Sequence, residues 1–225
     1  MALNEAKIEE AASWLLSARA SGEPFGGIPE EFRPATIADG MRVSEEIAGR
    51  LGRRTVAWKA GFSSPAQMTE FGLSSPPWGR FFEGMVYESP AELLARMFTQ
   101  PLMEAEVAFR LGTDLWPRDG GYSADEVLDA VAAAHIAIEG ADVRFRDGLG
   151  AGLPSIVADS FAAQSFIAGP EIADWRSRDL NTLSVELIVD DEVKGAAFEG
   201  DVRCRPVEVL VALANDFAAR GIALE

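Results

Sequence analysis

The chain is 225 residues long, 48% apolar and 25% charged, a length and mixture that fit one soluble domain with a sizeable core. Its net charge of −16 argues against polyanion partners such as nucleic acid or anionic lipid, and no apolar run approaches the ~20 residues of a membrane span. A single histidine, His135, excludes Ser-His-Asp triads, His-rich zinc sites and two-His iron sites within one chain. The single cysteine, Cys204, excludes an internal disulfide and suits a reducing cytoplasm.

The N-terminal "MALNEAKIEEAASWLL" has acids where an export signal needs a basic and then apolar segment, so no export is expected. Residues 4–21 have helical spacing, with Ile8, Ala11, Ala12, Leu15 and Leu16 on one face. "GEPFGGIPEEFRP" is Gly/Pro punctuation and reads as a connector, and "TIADGMRVSEEIAGRLG" as a second amphipathic helix stopped by Gly52. These elements define an N-terminal helical segment over 1–52, followed by a β-rich unit over 53–225. "TVAWKAGF" is a short strand with Lys59 in its middle, and "SSPAQMTEFGL" a brief helix opening on Ser and Pro.

Short strands follow: "GRFFEGMVYES", "LMEAEVAFRL", "IAIEGADVRF", "SIVADS", "QSFIAG", and "LSVELIVDDEVKGAAFEG", the last a hairpin with Asp190 and Asp191 near its turn. "SADEVLDAVAAAH" reads as a helix ending at His135, where a cation suits the helix C-terminus. "RPVEVLVALANDFAARG" is a final helix. Helices first and a strand-rich body after them indicate α+β.

Three acids stand out. In "PLMEAEVAFRL", period 2 places Glu104, Glu106, Ala108 and Arg110 on one face and Ala105, Val107, Phe109 and Leu111 on the other. Acids at i and i+2 lie ~7 Å apart at Cα, close enough to chelate one ion. A solvated edge-strand face has the same pattern, so both readings stand. Glu139, in the apolar "HIAIEGADV", needs a cation or hydrogen-bond partner if buried. With one histidine, a metal would be held by oxygen, pointing to Mg2+ or Mn2+.

"WKAGFSSPAQMTEFGLSSPPWGRFFEGM", "QPLMEAEVAFRLGTDL", "AAHIAIEGADVRF" and "GLPSIVADSFAAQSFIAG" resemble, in that order, segments of the 2-keto-4-pentenoate hydratase and 4-oxalocrotonate decarboxylase family, within the fumarylacetoacetate hydrolase superfamily. The resemblance covers roughly residues 5–224. It implies a β-rich core, of mixed sheets or β-roll form, around a divalent cation held by Glu104, Glu106 and Glu139. It also implies Lys59 and Asp159 as catalytic groups and Ser160, Phe161, Gln164 and Trp78 as substrate-binding ones.

The implied activity is that of a metal-dependent lyase, hydratase or decarboxylase in type, acting on a small 2-oxo acid or its dienol through an enolate. A homo-oligomer, dimer or higher, is expected with it. Several positions depart from the family pattern. Pro77 stands in "PPWG" where the family has an acid, and Ser160 and Ala162 stand where it has Asn and Ser. Cys204-Arg205 replaces a Gly-His pair, and the chain stops at "GIALE", where relatives continue. These departures keep three alternatives open: hydrolysis of a C–C bond in an acylpyruvate, a specialised isomerase or cyclase, and a non-catalytic partner of an active family enzyme.

Overall fold

The computed structural model of the chain describes residues 2–225. It is an α+β structure whose described helices and strands run in the order α1 (Glu5–Ala20), α2 (Ile37–Leu51), β1 (Thr55–Ala60), α3 (Pro65–Glu70), β2 (Trp78–Phe82), β3 (Val86–Glu88) and β4 (Pro101–Leu111). They continue as α4 (Ala124–Ala130), β5 (Val131–Asp142), α5 (Leu153–Ala158), β6 (Ala163–Glu171), β7 (Glu186–Val189), β8 (Glu192–Ala196) and α6 (Pro206–Arg220). The strands form a four-stranded sheet in the order β3-β6-β5-β4, and two ribbons, β1-β2 and β7-β8. None of the described helices is long and apolar enough to cross a membrane.

The described residues divide into two compact units. One comprises the chain up to Lys59 with Trp78–Met103 and Glu139–Ile167. Within it α1 starts at Asn4, whose side chain accepts from Lys7 N, and α2 at Thr36, whose hydroxyl accepts from Asp39 N; each relieves an unpaired helix-end donor. α1 buries Ile8, Ala11, Ala12 and Leu15 of the face expected from the spacing, and leaves Leu16 half-buried. α2 packs on α5 so closely that a Cβ at Gly40 would lie 2.3 Å from Pro154 O, which requires glycine there. Phe25, from the expected connector, bridges to Phe145 as an isolated parallel pair.

The other unit comprises Ala60–Pro77, Glu104–Ile138 and Ala168–Glu225. Its helix α4 opens on a capping box between Ser123 and Glu126, and α3 on one between Ser64 and Gln67. α6 buries Leu210, Leu213, Ala214, Phe217 and Ala218, and its Asn215 exchanges hydrogen bonds with the backbone of Tyr122. β7 and β8 are antiparallel, and Asp190 and Asp191 both take positive φ (53° and 63°), as a two-residue hairpin turn requires. Leu115 and Leu224 form an antiparallel bridge.

Two elements differ from expectation. "SIVADS" is not a strand: Leu153–Ala158 is helix α5, with Pro154 in its first turn and four of its side chains from Ser155 to Ala158 buried. A short apolar run has no period long enough to separate a buried strand from a buried helix turn. The helix expected over 123–135 stops at Ala130, and Val131 begins β5. Alanines favour helix in isolation, yet here sheet pairing on both sides of β5 overrides propensity. His135 therefore sits in mid-strand rather than at a helix C-terminus, its Nδ1 3.0 Å from Gly169 O.

Candidate active site

β4 and β5 are neighbours in the four-stranded sheet. At one end Val143 N donates to Gln100 O. At the other, Gly112 N and Thr113 N both donate to Ala130 O, a bulge just past the end of β4. Glu139 stands on β5 and Glu104 on β4. Glu106 follows two residues on and points to the same face. One carboxylate oxygen from each of Glu104, Glu106 and Glu139 lies within 4.8 Å of the others.

Glu139 is fully buried, while Glu104 and Glu106 are half-buried. Its Oε1 accepts from the Lys59 ammonium at 2.5 Å, and Lys59 is itself buried. Three ionised carboxylates and one ammonium leave two negative charges in a small volume. Like charges this close repel strongly unless a cation neutralises them, and the matching countercharge is a divalent one. The donors are all hard oxygens, so the set fits Mg2+ or Mn2+ and not a thiolate- or imidazole-seeking metal.

The Lys59 Nζ also lies 4.9 Å from the centre of the Phe161 ring, within cation–π range. Phe161 reaches it from an unusual backbone. Ser160, Phe161 and Ala162 have φ of 56°, 54° and 59°, three consecutive non-glycine residues in the left-handed region. At ~1–2 kcal/mol per residue such a run costs roughly 3–6 kcal/mol, so its surroundings must hold it. On one side it rests on β2, where a Cβ at Gly79 would lie 2.5 Å from Ser160 O and 3.0 Å from the Phe161 Cβ. On the other, the buried carboxylate of Asp159 is gripped from both sides. Arg19 Nε donates to Oδ1 at 2.6 Å and Arg144 Nη1 to Oδ2 at 2.8 Å.

Arg19 Nη2 further donates to the Ser160 hydroxyl at 3.1 Å. Arg144 Nη2 donates to Gln164 Oε1 at 2.6 Å and to Ala163 O at 3.2 Å, and Gln164 Nε2 reaches Met97 O at 2.8 Å. Burial and the neighbouring Arg144 charge lower the pKa of the Arg19 guanidinium, which Asp159 opposes. Asp142 completes the network, accepting from the backbone of Thr99 and Gln100 and lying 3.5 Å from Arg144 Nε.

The residues singled out in the sequence thus fall into three groups. Glu104, Glu106, Glu139, Lys59 and Phe161 converge. Asp159, Ser160 and Gln164 hydrogen-bond to the two arginines beside them. Trp78, at the start of β2, packs edge-to-face on Trp58 (5.3 Å) and under the Arg80 guanidinium (5.2 Å). Arg19, Arg144 and Asp142 were missed. Arg19 meets Asp159 across 140 positions, a separation over which no spacing pattern carries information. Arg144 stands two residues from Asp142 in "ADVRF", and only the burial of both marks it out.

No family model matches the chain. It is 29% identical to a 4-oxalocrotonate decarboxylase of a Pseudomonas species, over 97% of this chain and 81% of that protein. A 2-keto-4-pentenoate hydratase of Paraburkholderia phymatum is also 29% identical, over 83% of this chain and 71% of its own length. A 2-hydroxyhexa-2,4-dienoate hydratase of Comamonas testosteroni is 27% identical over 96% and 82%. Among solved structures, 4-oxalocrotonate decarboxylase from Pseudomonas putida G7, complexed with magnesium and adipate, superposes with a TM-score of 0.82. That match has 24% identity and covers 99% of this chain and 84% of that one; the same enzyme with calcium and acetate gives 0.83. Relatives of both kinds thus match most of the chain, which is similar in sequence to 4-oxalocrotonate decarboxylases and 2-keto-4-pentenoate hydratases and shares the fold of the former.

Proposed function

We propose that the chain is a divalent-metal-dependent lyase, of hydratase or decarboxylase type, acting on a small 2-oxo acid or its dienol. The observation that carries this reading is the meeting of three carboxylates with a buried lysine bonded to one of them. Relatives named hydratase and decarboxylase support it, as does a structural neighbour complexed with magnesium. Glu104, Glu106 and Glu139 would hold Mg2+ or Mn2+. When bound, such an ion supplies Lewis-acid stabilisation of the negative charge that develops on the substrate's 2-oxygen.

The protein's own groups do the rest in this reading. Lys59 fixes the orientation of Glu139 and offers its remaining N–H donors to a substrate oxygen, holding or passing a proton there. The Phe161 ring over the ammonium keeps water from it and narrows the approach. Asp159 is committed to two guanidinium groups, so we assign it to holding the turn, together with Ser160 and Gln164, and leave proton transfer to Lys59. The packing of Trp78 against Trp58 and Arg80 leaves it out of the proposed substrate wall. The finer fold assignment, a fumarylacetoacetate hydrolase-like roll, belongs to the same reading, as does a homo-oligomer, which sedimentation would test.

The test is turnover of a 2-hydroxydienoate and of a 2-oxo-dioate by protein stripped with EDTA and then given Mg2+. Activity should vanish on stripping and return with the ion. Equal rates in both states, or no turnover of either substrate class, would sink the reading.

A further inference from the structure

We propose that Arg19, acting with Arg144 through Asp159, is a positioning residue for Lys59: the pair locks residues 160–162 in their left-handed run, and that run lays the Phe161 ring on the Lys59 ammonium. Four observations meet here. The run is strained, since all three residues are non-glycine at positive φ. It cannot retreat toward β2, because Gly79 already leaves no room for a Cβ between that strand and Ser160 O. Asp159, immediately before the run, is fixed by one charged hydrogen bond on each oxygen. Arg19 alone also holds the first strained residue, through the Ser160 hydroxyl.

The chain of contact is then short. The Arg19 guanidinium grips Asp159 and Ser160; Phe161 comes next in sequence; its ring centre is 4.9 Å from the Lys59 Nζ; and that Nζ is 2.5 Å from Glu139. A helix at the start of the chain thereby sets where a lysine in β1 can point. Without the clamp the run relaxes toward ordinary backbone and the ring leaves, so Lys59 gains other rotamers and solvent access. The inference rests on the proposed role of Lys59 only for its kinetic readout.

The chain has three lysines, Lys7, Lys59 and Lys194, so NMR of protein labelled at lysine Cε resolves them directly. The Lys59 methylene should resonate upfield of the other two through the ring current of Phe161. Arg19→Leu should move it back toward them, with Arg19→Lys intermediate and available should the leucine variant not fold. Adding Ala162→Gly, which removes strain the clamp must hold, should restore the upfield position in the Arg19→Leu background. In turnover, Arg19→Leu should lower kcat roughly 10- to 100-fold with KM within about twofold, and should cost nothing further in a Lys59→Met background.

A Lys59 signal that ignores Arg19→Leu overturns the proposal, as does an Arg19→Leu penalty undiminished in Lys59→Met protein. If no 2-oxo acid is turned over yet the Lys59 signal follows the clamp, the lyase reading fails and the positioning role stands.

Discussion

At the scale of single residues, Lys59 and Glu139 are both buried and joined by a 2.5 Å hydrogen bond. Removing one member of a buried ion pair leaves the other uncompensated, at a cost of about 3–5 kcal/mol. Lys59→Met should therefore lower the melting temperature sharply in EDTA, and added Mg2+ should raise it by less than it raises that of the unsubstituted protein. Partners that orient a metal ligand typically contribute 10–100-fold to metal affinity or activity, so a fall of that order in Mn2+ affinity is expected, read by titration calorimetry. The two-residue spacing of Glu104 and Glu106 was legible because strand geometry alone sends both to one face. The Arg19–Asp159–Arg144 grip was not, because it depends on which distant elements pack together.

At the scale of elements, legibility followed periodicity. α1, α2 and α6 span enough turns to show an apolar stripe, and the Asp190-Asp191 turn carries residues that tolerate positive φ. α5 is one and a half turns of mostly apolar residues, and only its packing on α2 decides its form. That packing gives a prediction: a Gly40→Ala methyl would meet Pro154 O, and chemical denaturation should show a loss of ~1–3 kcal/mol.

α4 gives another. Hydrogen bonds from Arg118 first, and from Ser123, lower the Glu126 carboxyl from its ordinary 4.5 to about 2. A folded pKa below the unfolded one adds stability that is complete above pH 4.5 and is lost as pH falls through about 2. Glu126→Gln should flatten that part of the acid-unfolding curve while leaving the neutral-pH activity in place; an unchanged acid limb would contradict it.

At the scale of the whole molecule, the charge of −16 and the lone histidine restricted the chemistry before any element was placed. They left hard-cation binding open and closed most alternatives, yet could not say whether the acids were dispersed on the surface or gathered. The sheet gathers three of them. A ligand that binds only the folded state stabilises it by about 2.7 kcal/mol at 100 times its dissociation constant. For a chain of this length that corresponds to a rise of roughly 5–10 °C in melting temperature with saturating Mg2+, absent in Glu139→Gln protein.

Whether Glu104, Glu106 and Glu139 together hold one divalent ion can be read from a crystal soaked in Mn2+. A single strong anomalous peak is expected within bonding distance of an oxygen from each of the three side chains, with Lys59 still bonded to Glu139. A peak elsewhere, or three glutamates pointing apart around no peak, would contradict it.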